Sequence, residues 1–162
     1  MICDVTCCDI DSHVKMKYDS GMSEVIDIEK VAQFWLVTAE RDWRFAGDAF
    51  AMKHYPHALF FVHLTLEKLF KALVALKTRT HAPWSHNLLD LARKAALELT
   101  EEQRKEFDEI TSFNVEARYP DEKHAFYRRA GRRAYAEHYF NRARHYRLWL
   151  KREIIDLRQK KR

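Results

Sequence analysis

Turn-forming residues are scarce in this chain: 3 glycines and 3 prolines among 162 residues, or about 4%, where ordinary domains carry about 12%. An all-β sandwich or barrel needs a turn signal about every 8–12 residues, so that class is excluded and helices joined by few turns remain. Long apolar runs are missing as well. No uninterrupted stretch of about 18 apolar residues occurs, and the mean hydropathy is −0.53, which argues against a membrane span. No Lys/Arg-led apolar segment opens the chain, so no secretory signal is expected. Cysteine is confined to Cys3, Cys7 and Cys8. An odd count at one end cannot staple a fold, which points to a reducing cytoplasm. A zinc site built on these thiols with Asp4, Asp9 or His13 lacks a second Cys/His pair at usual spacing. The P-loop, G-x-G-x-x-G, H-E-x-x-H and G-x-S-x-G motifs are absent. Glu-x-x-His pairs of a di-iron bundle are absent too. Neither a metal nor a cofactor is expected.

What the chain does have is a core and an uneven charge. Hydrophobic residues make up 47% and the net charge is +5. Residues 128–162 hold 13 Lys/Arg against 3 Asp/Glu, a balance of +10, while the other 127 residues hold 16 against 21, a balance of −5. A basic C-terminal third on a mildly acidic body is an electrostatic address for phosphate-bearing partners. A solvated helix face ending in a basic tail, 158–162, would show the same balance.

Residues 1–23 have no period and are expected to form a disordered N-terminal segment ahead of a helical domain over 24–157. From Asp27, Ile28, Val31, Trp35, Thr38, Phe45 and Ala49 recur at helical spacing, with Asp27 as N-cap. Pro56 ends this helix near His54–Tyr55 and opens the next. There Leu59, Val62, Leu66, Leu69, Leu73 and Leu76 step 3-4-3-4-3, with Phe60, Leu64 and Val74 off the seam. A helix apolar round most of its circumference belongs at the centre of a bundle. Ser85 is expected to cap a short helix over about 86–98. Thr100-Glu101-Glu102-Gln103 reads as a capping box opening a helix with Phe107, Ile110, Phe113 and Asn114 on one face, stopped by Pro120. A loop over 119–127 and a last helix over about 129–157 complete an all-α, up-and-down bundle of four core helices plus one more.

Two Arg-to-His spacings stand out, Arg118 with His124 and Arg133 with His138. An arginine fork can hold a phosphate and its developing charge. A neutral histidine, with an ordinary pKa of about 6.5, can move the proton of a 2′-hydroxyl or leaving oxygen without a metal. Glu67-Lys68 sits mid-helix and reads first as the polar gap in a buried stripe. The aromatics of the last helix, Tyr135, Tyr139, Phe140, Tyr146 and Trp149, fall mostly on one side and are expected in the core, with its arginines lining the outer face.

Several of these segments, taken together, resemble a known family. They are a Trp-bearing first helix with Ala39 and Ala46, then Tyr55-Pro56-His57-Ala58-Leu59-Phe60-Phe61, Leu66-Glu67-Lys68-Leu69-Phe70-Lys71-Ala72-Leu73, His86-Asn87-Leu88-Leu89-Asp90-Leu91 and Asn114-Val115-Glu116-Ala117-Arg118-Tyr119-Pro120-Asp121. In this order over about 28–155 they are similar to the HEPN domain (higher eukaryotes and prokaryotes nucleotide-binding). The resemblance implies a helical bundle that commonly forms homodimers. Many members are metal-independent endoribonucleases paired as toxins with a nucleotidyltransferase antitoxin, using Arg, four to six residues, then His. Others bind nucleotides or partner proteins without catalysis. Arg118 and His124 match that spacing, and so do Arg133 and His138. The residue after each arginine, Tyr119 or Ala134, departs from the polar residue common there. The expectation is therefore RNA or nucleotide phosphate binding by Lys68, Arg118, Arg128, Arg129, Arg132 and Arg133, with Arg118 and His124 as the pair for cleavage if it occurs.

Overall fold

The computed structural model describes residues 27–118 and 125–160. Among these, the elements are α1 (Ile28–Ala51), α2 (Tyr55–Thr78), α3 (Leu88–Lys94), α4 (Glu101–Glu116), α5 (Ala125–Ala130) and α6 (Arg133–Gln159), with no strand. The expected N-terminal segment 1–23 lies outside the described residues, as does the tail beyond Lys160.

The central position of α2 follows from its composition. Leu59, Val62, Leu66, Leu69, Leu73 and Leu76 are all at most 1% exposed, each contributing about 1.5–3 kcal/mol of hydrophobic free energy. Every other helix packs on α2. Pro56 sits in its first turn, where a missing N–H costs nothing.

α1 buries Ile28 and Ala49 and packs Trp35 on the core as its spacing predicts, but small side chains fill the rest of its buried stripe. Ala32, Ala39 and Ala46 are wholly buried, whereas Phe45 is 50% exposed. The seam is a seven-residue repeat of small side chains, which lets α1 lie close against α2. Asp27 caps the helix as expected, accepting from the Lys30 N–H at 3.1 Å.

Two boundaries differ from the sequence reading. α3 is shorter than 86–98, because the side chain of Asn87, not Ser85, caps it by accepting from the Asp90 N–H at 3.0 Å. Its far end is cut where Ala96 turns left-handed, at φ 46°. The end of the expected loop over 119–127 is helical instead, as part of α5, and the last helix, expected from about 129, begins only at Arg133 after a break at Gly131-Arg132. The Gly131 N–H donates to the Tyr127 carbonyl at 2.9 Å, and a Cβ on Gly131 would lie 2.8 Å from that same oxygen. Arg132 then leaves the helical region, at φ −77° and ψ 119°. Few glycines also means that Lys53 and Arg79, with φ 63° and 58°, take the left-handed positions after α1 and α2 that glycine usually fills.

α4 opens with both halves of the capping box. Thr100 accepts from the Gln103 N–H at 3.2 Å and its own N–H donates to the Gln103 side chain at 2.8 Å. Phe107, Ile110, Phe113 and Asn114 are buried along one face, as read from their spacing.

Candidate functional site

Within the apolar α2, Phe60, His63, Glu67 and Lys71 recur at spacings of three, four and four, so they share one face of the helix. Glu67 is 4% exposed and Lys71 7%. The Lys71 ammonium donates to Glu67 Oε1 at 2.7 Å and lies 5.1 Å over the Trp35 ring of α1. The loop between α2 and α3 folds back so that His86 Nδ1 reaches Glu67 Oε2 at 3.0 Å. A carboxylate only accepts, so that nitrogen carries the proton. Burial by itself would raise the Glu67 pKa. The hydrogen bonds from Lys71 and His86, with the nearby charge, outweigh it and hold the carboxyl below the usual range. Both Glu67 oxygens are thus engaged within the α2 face and its loop.

His63 is wholly buried. Its Nε2 lies 2.9 Å from the His86 carbonyl, which fixes the proton on Nε2 and leaves Nδ1 without a hydrogen-bond partner. Nδ1 faces Glu67 Oε2 at 3.8 Å. Burial is the largest influence on the ring and depresses its pKa, and the charge of Arg118 acts in the same direction. The imidazole is neutral, and its burial makes it a positioning group for the His86 loop, closed to substrate.

Arg118 stands at the exit of α4. Its Nε donates to the Asn114 carbonyl at 2.8 Å and its guanidinium lies 5.9 Å over the Phe60 ring. This is the usual satisfaction of a helix-terminal carbonyl by a cation. Arg118 is an exposed residue at the Phe60 end of the α2 face.

A HEPN-domain model matches residues 32–154. The chain belongs to the HEPN family. The bundle is also similar to the crystal structure of TT1696 from Thermus thermophilus, with TM-score 0.61 and 20% identity over 75% of this chain and 97% of that one. At that identity the likeness speaks for the fold alone. Comparison with curated proteins finds no match.

The HEPN fold places the residues singled out above in different settings. His124 lies outside the described residues. Arg133 pairs with Glu137 at 3.5 Å and His138 faces Glu106 at 3.9 Å, so that pair is engaged separately, with two acids. Lys68 is bound to Asp42 of α1 at 2.6 Å. Arg129 is part of the packing: it donates to Glu116 at 3.0 Å and to the Tyr135 hydroxyl at 3.1 Å, and that hydroxyl in turn donates to Glu109. Arg128 and Arg132 are exposed.

The outer-face expectation for the arginines of α6 holds for Arg144 and Arg152, which are exposed. It fails for two others. Arg142 binds Glu106 at 2.7 Å, and Arg147 binds Glu40 at 2.5 Å with its side chain 15% exposed. Acidic residues on α1 and α4 face these positions and draw them inward. The aromatics do pack inward, with Phe140 stacked on Trp43 and the buried Tyr146 hydroxyl donating to Glu106. Among the described residues, no three His, Cys, Asp or Glu side chains converge as a metal cage, and no helix is long and apolar enough to cross a membrane.

Sequence reasoning passed over His63, Lys71 and His86 as functional-site residues. The signal was there: polar residues at 63, 67 and 71 keep a four-residue interval on one face of a helix in which only Thr65 and Lys68 are otherwise polar between Leu59 and Leu76.

Proposed function

We propose that this HEPN-domain protein binds RNA or nucleotide phosphates through Arg118 and the exposed cations of α5 and α6, as a non-catalytic or weakly catalytic homodimer working beside a nucleotidyltransferase. The observation that carries the reading is the setting of Arg118, an exposed residue with its guanidinium braced by Asn114 and Phe60 at the end of a buried polar face. A braced fork loses little further freedom on meeting a phosphate. Acids of α1 and α4 pair with Arg129, Arg142 and Arg147, whereas Arg128, Arg132, Arg133, Arg144 and Arg152 stay exposed.

The test is equilibrium binding of nucleotides and short RNA by wild type and Arg118→Ala. A charge-assisted hydrogen bond is worth about 1.5–3 kcal/mol, so the variant should bind at least about tenfold more weakly while melting close to wild type. Equal binding would reject the reading. The second reading, a metal-independent endoribonuclease toxin, rests on the five residues separating Arg118 from His124. RNA cleavage in excess EDTA, lost in both Arg118→Ala and His124→Ala and leaving 2′,3′-cyclic phosphate ends, would favour it.

A further inference from the structure

The loop joining α2 to α3 walls a pocket of about 420 Å³, lined by Trp35, Lys71, His81, Ala82, Pro83 and Trp84. That volume is in the range of small-molecule sites, about 300–1,000 Å³. The loop is fixed rather than loose. The Ser85 N–H donates to the Pro83 carbonyl at 2.8 Å, closing a three-residue turn with Trp84 at its centre. The next residue, His86, is anchored through its ring to Glu67 at 3.0 Å and through its carbonyl to His63 at 2.9 Å. Trp84 is thereby held in full contact with water, at 104% relative exposure. A large apolar ring exposed on a pinned turn has no packing explanation.

The remaining walls select the ligand. Lys71 has a buried stem, and its ammonium has three N–H donors, one of which goes to Glu67. It already lies over the Trp35 face, so a cation entering between the two indoles would meet a positive charge where an aromatic cage needs a bare ring. An aliphatic ligand would leave the ammonium unused. A planar heterocycle with acceptor atoms on its edge answers both features: its face stacks on Trp84 and its edge, or the phosphate it carries, accepts from Lys71. We infer that this pocket binds the nucleobase end of a nucleotide, with Trp84 as the stacking platform and Lys71 as the donor. The choice of ligand rests on the proposed function, whereas the residues are separate from Arg118. Lys71 follows Phe60, the residue under Arg118, by eleven residues on α2, about 16 Å along the helix, a span that a short oligonucleotide can bridge.

The experiment is calorimetric titration of the full chain with adenosine 5′-monophosphate and with a short oligoadenylate, followed in parallel by tryptophan fluorescence. Wild type, Trp84→Ala, Trp84→Phe and Arg118→Ala are compared. Loss of one stacking contact weakens binding by about 5- to 150-fold. Trp84→Ala should show that loss, with the ligand-induced fluorescence change abolished and the melting temperature unchanged, and Trp84→Phe should recover most of the affinity. Mononucleotide and oligomer affected alike identify a free-nucleotide pocket; an effect on the oligomer alone identifies a strand contact. Wild-type affinity in Trp84→Ala overturns the inference. If Arg118→Ala is weakened in that case, the proposed function survives without the pocket. If Trp84→Ala is weakened and Arg118→Ala is not, the pocket stands and the role of Arg118 falls. A wild type that binds neither probe overturns both.

Discussion

Replacing Lys71 by methionine isolates the polar centre of α2. The side chain keeps its length and apolar stem but loses the charge that lies 2.7 Å from Glu67, in a pair whose side chains are 8% and 6% exposed. Removing one partner of a buried ion pair costs about 3–5 kcal/mol, since the other charge is left uncompensated. His86 still donates to Glu67, from a side chain 61% exposed, and this remaining partner brings the cost to the bottom of that range or just below it, about 2–3 kcal/mol. For a chain of this size each kcal/mol moves the melting temperature by about 2–4 °C, which predicts a fall of about 4–12 °C at pH 7. Adding Glu67→Met should return the double variant to within about 1 kcal/mol of wild type, because an apolar replacement of the whole pair removes the stranded charge.

Urea denaturation of the four proteins in the cycle gives the coupling energy. The pH dependence supplies an independent sign. In wild type the Glu67 pKa lies below its ordinary 4.5, so its stabilisation is complete above that pH and is lost as pH falls below it. In Lys71→Met, burial acts with less opposition and the pKa rises, so acidification protonates the stranded carboxylate and narrows the gap to wild type. A Lys71→Met protein melting within about 1 °C of wild type, or a double variant less stable than the single, would refute the reasoning.

Other outcomes follow from the same geometry. Gly131→Ala should destabilise by about 1–3 kcal/mol, opposite to the usual gain in a helix, because its Cβ would meet a backbone carbonyl at 2.8 Å that cannot swing aside; thermal melting checks it. Ala96→Gly should raise stability by about 0.5–1 kcal/mol in urea melts, since Ala96 holds a left-handed φ of 46° at the end of α3. Thr100→Ala, removing the capping box of α4, should cost about 0.5–2 kcal/mol by the same assay. His63 has a depressed folded-state pKa, so its neutral form is the one the fold accommodates. Stability should therefore fall as pH drops below the unfolded value of about 6.5, and His63→Gln should flatten melting curves collected from pH 7 to pH 5.

The bundle was legible because its strongest signals are periodic. The leucine steps of α2, the Thr100–Gln103 box and the Phe107–Phe113 face each repeat at intervals that only a helix satisfies, and each stands where its spacing put it. What escaped depended on contacts distant in sequence or on single backbone angles. No local pattern announces that Ala96 turns left-handed, or that Tyr127 crowds Gly131. Phe45 misled because hydrophobicity was weighted by size, whereas the α1–α2 interface selects small residues. Around the candidate site, the spacing to His124 singles out Arg118, but nothing local announces the partners of Glu67. His86 arrives from a loop whose path is set by His63, a contact between residues 23 apart.

The three buried alanines of α1 bear on how such a chain can diverge. Ala32, Ala39 and Ala46 set the distance between two helices, and with it the reach of Asp42 to Lys68 and of Trp35 to Lys71. The architecture of this pair is thus encoded in a few positions where a side chain must be small. The outward residues, Phe34, Val37, Arg41, Arg44 and Phe45 among them, are left nearly unconstrained by packing. A fold specified this way stores little information per residue. Sequences can drift far apart while the backbone stays superimposable, so long as the spacer positions are kept. One enlarged alanine would then move more of the molecule than many changes on the outer face together.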